Sequence, residues 1–193
     1  MKYLINLLLI AAIFGIGYLL VNGINEPIAF KEAQESRKNV VAERLVQIRE
    51  CQEMYRTIKG EFAPSFDSLI YVLRTDSIPF VQVFEDPDDP TNEDKYVYKT
   101  FYDNALDSIN ALGINLDSIS YVPFAGNTKF DFFADTMTYQ KTLVSITEVG
   151  TRWKNFMGKY ADTRFQKYDD RYFPDAMIKF GDQNSPSLSG NWE

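Results

Sequence analysis

An apolar run from Tyr3 to Val21, interrupted by one polar residue, Asn6, constrains everything the rest of the chain can do. Its nineteen residues, at a helical rise of about 1.5 Å each, reach across a hydrocarbon core of about 30 Å. A cleaved signal peptide has a shorter apolar core, about 7 to 15 residues, and a clear small-x-small site. Val21-Asn22-Gly23 is a poor site of that kind, so residues 1–23 are expected to be an uncleaved anchor, with a cleaved signal as the alternative. No cysteine follows the run closely, which removes a lipoprotein signal. Lys2 lies before the run, whereas Lys31, Arg37 and Lys38 lie after it among Glu26, Glu32 and Glu35. The short N-terminus and long C-terminal part favour an N-in topology, with the domain outside the cytoplasm.

The remainder has the material for one compact domain, because most of the chain's 15 Phe and 12 Tyr and both its Trp lie there and supply a core, despite a net charge of -7 for the chain. That acidic balance argues against a nucleic-acid partner, since 27 Asp and Glu outnumber the 20 Lys and Arg that could displace counterions from phosphates. It also provides no polybasic run for anionic lipid. The chain has no histidine, which removes Ser-His-Asp and Cys-His catalysis, most zinc sites and the usual general acid or base. The single cysteine, Cys51, has no internal disulfide partner and no histidine to activate it, so it is expected to be a small buried residue. No phosphate-binding glycine loop, nucleotide fingerprint or nucleophile elbow occurs. Nothing argues positively for an enzyme.

Residues 24–60 are expected to form a stem helix. Val41, Leu45, Ile48, Gln52 and Tyr55 follow 4-3-4-3 spacing and share one face, with Cys51 and Ile58 at its margin and charged residues opposite. The helix is expected to be nearly continuous with the anchor, with Asn22-Gly23 and Pro27 as kink points. Gly60 stands where a left-handed C-terminal cap belongs, and Phe62 and Pro64 complete the turn.

Residues 61–180 then read as an α+β domain. A short helix over 65–75 is capped by Ser65 or Asp67, a strand covers 78–85, and a second short helix lies around 103–112. The stretches 118–124, 128–139 and 141–151 are aromatic and β-branched, and predict a three-stranded antiparallel meander. Residues 151–160 read as helical and 175–181 as a last strand, with 181–193 an exposed tail. Asp-Ser-Leu at 67 and Asp-Ser-Ile at 76, 107 and 117 read as local caps and turn starts. No cofactor is expected. One cluster could ligate calcium weakly, the acidic loop 85–94, but its prolines and the missing EF-hand glycine and glutamate favour a solvated loop.

The stem and turn resemble type IV pilins and the pseudopilins of type II secretion systems. The pattern Leu-x-x-Ile-x-x-x-Gln-x-x-Tyr, then Gly, aromatic, Pro and Leu, stands here as Leu45, Ile48, Gln52, Tyr55, Gly60, Phe62, Pro64 and Leu69. The resemblance implies a pilin-like fold, an amphipathic stem on a small antiparallel sheet. It also implies a non-enzymatic, inner-membrane-anchored subunit of a trans-envelope assembly, with other envelope proteins as partners and the domain in the periplasm. One departure matters: no Gly-aromatic-x-x-x-Glu occurs in residues 1–30. Without that glutamate a polymerising, peptidase-processed pilin is not expected. "NEPIAF", "GEFAPSFDSLI", "YVPF" and "GNWE" are also similar to a group of single-span envelope proteins of Bacteroidota, which implies location and no activity. The alternative from the residues themselves is a tethered ligand-binding or sensing module, marked by an aromatic-lined pocket of about 300 Å³ or more.

Overall fold

The computed structural model describes residues 2–85 and 96–193. It is α+β, with a long N-terminal apolar helix and small antiparallel sheets. Helix α1 (Lys2–Lys59) runs unbroken through Gly23 and Pro27. Helix α2 (Phe66–Thr75) follows, then strands β1 (Ser77–Glu85) and β2 (Tyr96–Asn104), which pair into a two-stranded antiparallel ribbon. Helix α3 (Ala105–Ala111) leads to a second sheet of order β3-β4-β5, formed by Asp131–Tyr139, Thr142–Arg152 and Met177–Gly181. Between β4 and β5 lie helix α4 (Trp153–Met157) and two short 3-10 turns.

The core sits between α1 and the three-stranded sheet. Val41, Leu45, Ile48 and Gln52 are 0% exposed and Tyr55 is 6% exposed, so the 4-3-4-3 face is wholly internal. Phe66, Leu69, Val72 and Leu73 recur at helical spacing and give α2 one buried side. Central strand β4 supplies Val149 and Thr151, and β5 opposes them with Phe180 and Ile178, all buried on one face. Gly181 closes β5 at φ +80°, and a Cβ there would stand 1.9 Å from the Thr147 carbonyl oxygen.

The turn after α1 is fastened by side chains that a hydrophobic pattern would place in water. Gly60 takes φ +84° and its N–H bonds the Arg56 carbonyl at 2.8 Å, stopping the helix with a left-handed cap. Gln52 then holds the returning chain: its Oε1 accepts from the Ala63 N–H at 2.9 Å, and its Nε2 donates to the Ala63 carbonyl at 3.4 Å. The Tyr55 hydroxyl meets the Ser68 hydroxyl at 3.2 Å, and the Arg56 guanidinium lies 4.9 Å from the Phe62 ring centre. Ser65 rather than Asp67 caps α2, accepting from the Ser68 N–H.

Four expectations differ from the structure. The meander does not include 118–124, which forms consecutive turns with one isolated bridge, Tyr121 to Lys129; its third strand is β5. Asn115 explains this, since its side chain accepts from the Asp117 N–H at 2.9 Å and its carbonyl from the Ser118 N–H at 3.3 Å. Local bonds of this kind offer the backbone an alternative to a ladder. Strand β2 occupies a stretch for which no element was expected, ahead of the 103–112 helix, whose N-cap is Asn104. The sheet is also two sheets rather than one. Finally, the tail is docked: Asn191 donates from Nδ2 to the Met177 carbonyl (2.8 Å) and accepts at Oδ1 from the Lys179 N–H (3.0 Å). Arg49 of α1 meets Glu193 at 2.8 Å and so pins the last residue of the chain. The calcium expectation concerns the loop 85–94, of which residues 86–94 lie outside the described residues.

Gln52→Leu keeps the volume but strands the buried Ala63 N–H and carbonyl. It is expected to destabilise the fold by about 1–3 kcal/mol, read as a lowered midpoint in urea denaturation. A change below about 0.5 kcal/mol, within the range of neutral surface substitutions, would refute the clamp.

Candidate binding groove

The residues marked in the sequence as stem and turn do not converge on a cleft. Val41, Leu45, Ile48, Gln52 and Tyr55 face the chain's own core, and Phe62 is buried with them, while Gly60 and Pro64 are exposed at the turn. A fully buried face has no surface to offer a partner, so any contact made by α1 with another molecule must use its outward side.

A well-formed cleft lies elsewhere, along the N-terminal part of the stem. One wall is the α1 stretch that carries Lys31, Gln34, Glu35 and Lys38, spaced to share one side of the helix. Trp153, Tyr168, Asp169 and Arg171 form the opposite wall, and Ile178, Asn191 and Trp192 complete it. The volume is about 670 Å³, and both tryptophans of the chain line it.

Local packing fixes this wall. Phe30 of α1 is fully buried in a cage of rings: it stacks on Phe165 (5.3 Å) and meets Tyr160 and Tyr172 edge-on at 5.7 and 5.1 Å. The Tyr172 hydroxyl donates to the Tyr160 carbonyl at 2.7 Å, and burial pushes its pKa up to about 12. Trp153 packs against Phe156 (5.2 Å) and Tyr172 (5.9 Å), which sets the angle of its indole at the groove. Gln34 donates to Asp169 at 2.9 Å, and this bond, helped by the Arg171 N–H and the charges of Lys31 and Arg171, holds the Asp169 carboxyl below its usual range.

Chemically, the groove offers aromatic faces and cations to a bound molecule. It presents indole and phenol faces beside the cations Lys31, Lys38 and Arg171, which make no ion pair among the described residues. No cluster of three or more Cys, Asp or Glu suited to a metal occurs among the described residues. The groove was not foreseen in the sequence because its residues come from five separated segments. Two isolated tryptophans in a chain rich in Phe and Tyr were the available signal.

Cys51 lies in the core at 0% exposure, and burial, helped by the neighbouring Glu50 charge, pushes its thiol up to about 12. Only the thiolate reacts, so maleimide labelling at pH 8 is expected to accelerate by about a thousandfold or more when the protein is unfolded. Rapid labelling of the folded chain would contradict this placement. Compared with known proteins, the chain matches no family model, no curated protein and no solved structure.

Proposed function

We propose that the chain is a non-enzymatic, single-span subunit of a trans-envelope assembly, pseudopilin-like in plan and of the type II-like secretion kind. In this reading α1 is anchored N-in in a bacterial inner membrane, its domain stands in the periplasm, and its partners are other envelope proteins. Support for the anchor comes from the apolar run at the start of α1, which is long and apolar enough to cross a membrane and is not buried against the domain.

The observation that carries the assembly reading is the β1–β2 ribbon. It is rooted at the far end of α1, where Asp76 meets Lys59 at 2.7 Å. Lys59 is thirty-eight residues beyond Val21, or about 57 Å along the helix axis. One ribbon face carries Val81, Val83, Tyr98 and Tyr102, which are 54–70% exposed. The other carries Phe84 and Phe101, 42% and 39% exposed, with Lys99 over the Phe84 ring. A lone two-stranded ribbon is marginal in water, and apolar groups on both faces gain stability when a partner covers them. An arm of this kind, held far from the anchor, suits contact with another protein.

A second reading, a tethered ligand-binding module, is favoured by the groove of about 670 Å³ beside Trp153 and Trp192. The two readings separate experimentally. A photo-crosslinking residue placed at Tyr98 in intact membranes is expected to capture discrete partner bands, and Val81→Asp with Tyr102→Asp is expected to abolish them. Recovery of the tagged chain alone, as a monomer in several mild detergents and without crosslinks from Tyr98, would overturn the assembly reading.

A further inference from the structure

We propose that a groove at the foot of the domain holds the phosphate headgroup of an anionic lipid from the leaflet that α1 enters, an inference that rests on the anchor reading above. The groove encloses about 500 Å³ between Asn25, Glu26 and Ala29 of α1 and the chain segment that carries Lys159 and Arg164.

Its height above the membrane follows from the helix. Asn25 and Ala29 lie four and eight residues past Val21, so they stand about 6 and 12 Å beyond the apolar run. The headgroup layer of one leaflet is about 5 to 8 Å deep. The lower rim of the groove therefore falls within that layer, and tilt of α1 brings the upper rim closer to it. Ile24 and Ile28, 61% and 59% exposed, extend the apolar surface of α1 up to the groove. A free anion in solution would have no use for that apolar approach, whereas a lipid would.

The groove also has suitable donors. The Lys159 ammonium lies 4.9 Å from the Tyr160 ring centre, and the Arg164 guanidinium lies 4.6 Å from that of Phe165. Each ring steadies a cation while leaving its N–H groups exposed. A guanidinium fork and a lysine point charge together match a phosphodiester. Neither cation has an ion-pair partner among the described residues, although Asp162 accepts from the Arg164 backbone N–H at 2.8 Å. Glu26, the carboxylate on the lining, is already engaged: it accepts from the Tyr168 hydroxyl, and the Lys167 ammonium lies 3.6 Å away. Lys159 and Arg164 lie five residues apart, and they reach the foot of α1 only because residues 158–173 wrap around Phe30.

The test is hydrogen exchange on the full chain in lipid nanodiscs, comparing zwitterionic discs with discs that include phosphatidylglycerol. Amides of residues 159–168 are expected to exchange more slowly in the anionic discs by about fivefold, the effect of one basic side chain at an anionic surface. The double substitution K159Q and R164Q is expected to remove that difference, and high salt to reduce it. Equal exchange of the wild-type chain in both discs would overturn the proposal, as would equal protection from inorganic phosphate added to zwitterionic discs. A chain that stays outside the discs would overturn the anchor reading and this proposal together. A chain that inserts but ignores headgroup charge would overturn the proposal alone.

Discussion

One stripe of helix α1 holds the domain together. Glu26, Phe30, Gln34, Arg37, Val41, Leu45, Ile48, Gln52, Tyr55 and Lys59 recur at close to 3.6 residues per turn, and each meets the domain. Toward the two ends polar contacts enter, beside Phe30 in its cage of rings: Glu26 to Tyr168, Gln34 to Asp169, Arg37 to the Phe156 carbonyl, Gln52 to Ala63 and Lys59 to Asp76. In the middle they are apolar, with Val41, Leu45 and Ile48 fully buried. Apolar burial supplies most of the stabilisation, and the polar ends fix where along the helix the domain begins and stops. A shift of one helical turn would put Gln52 opposite the wrong backbone groups and remove Phe30 from its cage.

This division explains what was legible in the sequence. Periodic apolar residues announced the middle of the stripe, and Gly60 with Pro64 announced its end. The N-terminal third was hidden, because Glu26, Gln34 and Arg37 look like solvent-facing residues until the segment 158–173 is folded over them. Long-range pairing was hidden for a related reason. Strand β5 displaced 118–124 from the sheet because Asn115 satisfies that segment locally, and no pattern within 118–124 itself reports this. The tail misled in the same way: Asn191 mimics a strand's donor and acceptor with its side-chain amide, in a stretch whose composition suggests a loose end. Both the groove beside the tryptophans and the foot below Phe30 are assembled by these long-range pairings, so neither could be seen from spacing.

The functional reading has the same physical basis. Because the inner stripe of α1 is spent on the domain, what remains for other molecules is the bare apolar span, the outward side of the stem, the ribbon and the clefts. The ribbon and the bare span lie at opposite ends of α1, so the proposed attachments to protein and to lipid fall far apart on the chain. The groove between them is bounded by the stem and by the docked tail, so occupancy there would be sensitive to the Arg49–Glu193 pair that holds the tail's end.

All of this depends on α1 being one continuous helix from the apolar run into the core. Spin labels at Leu20 and Glu53, both exposed, report on it directly in a Cys51→Ser background reconstituted in bilayers. The thirty-three intervening steps predict a single narrow distance distribution near about 50 Å. A broad distribution, or one centred well below that length, would show a break at Gly23 or Pro27 and contradict the account.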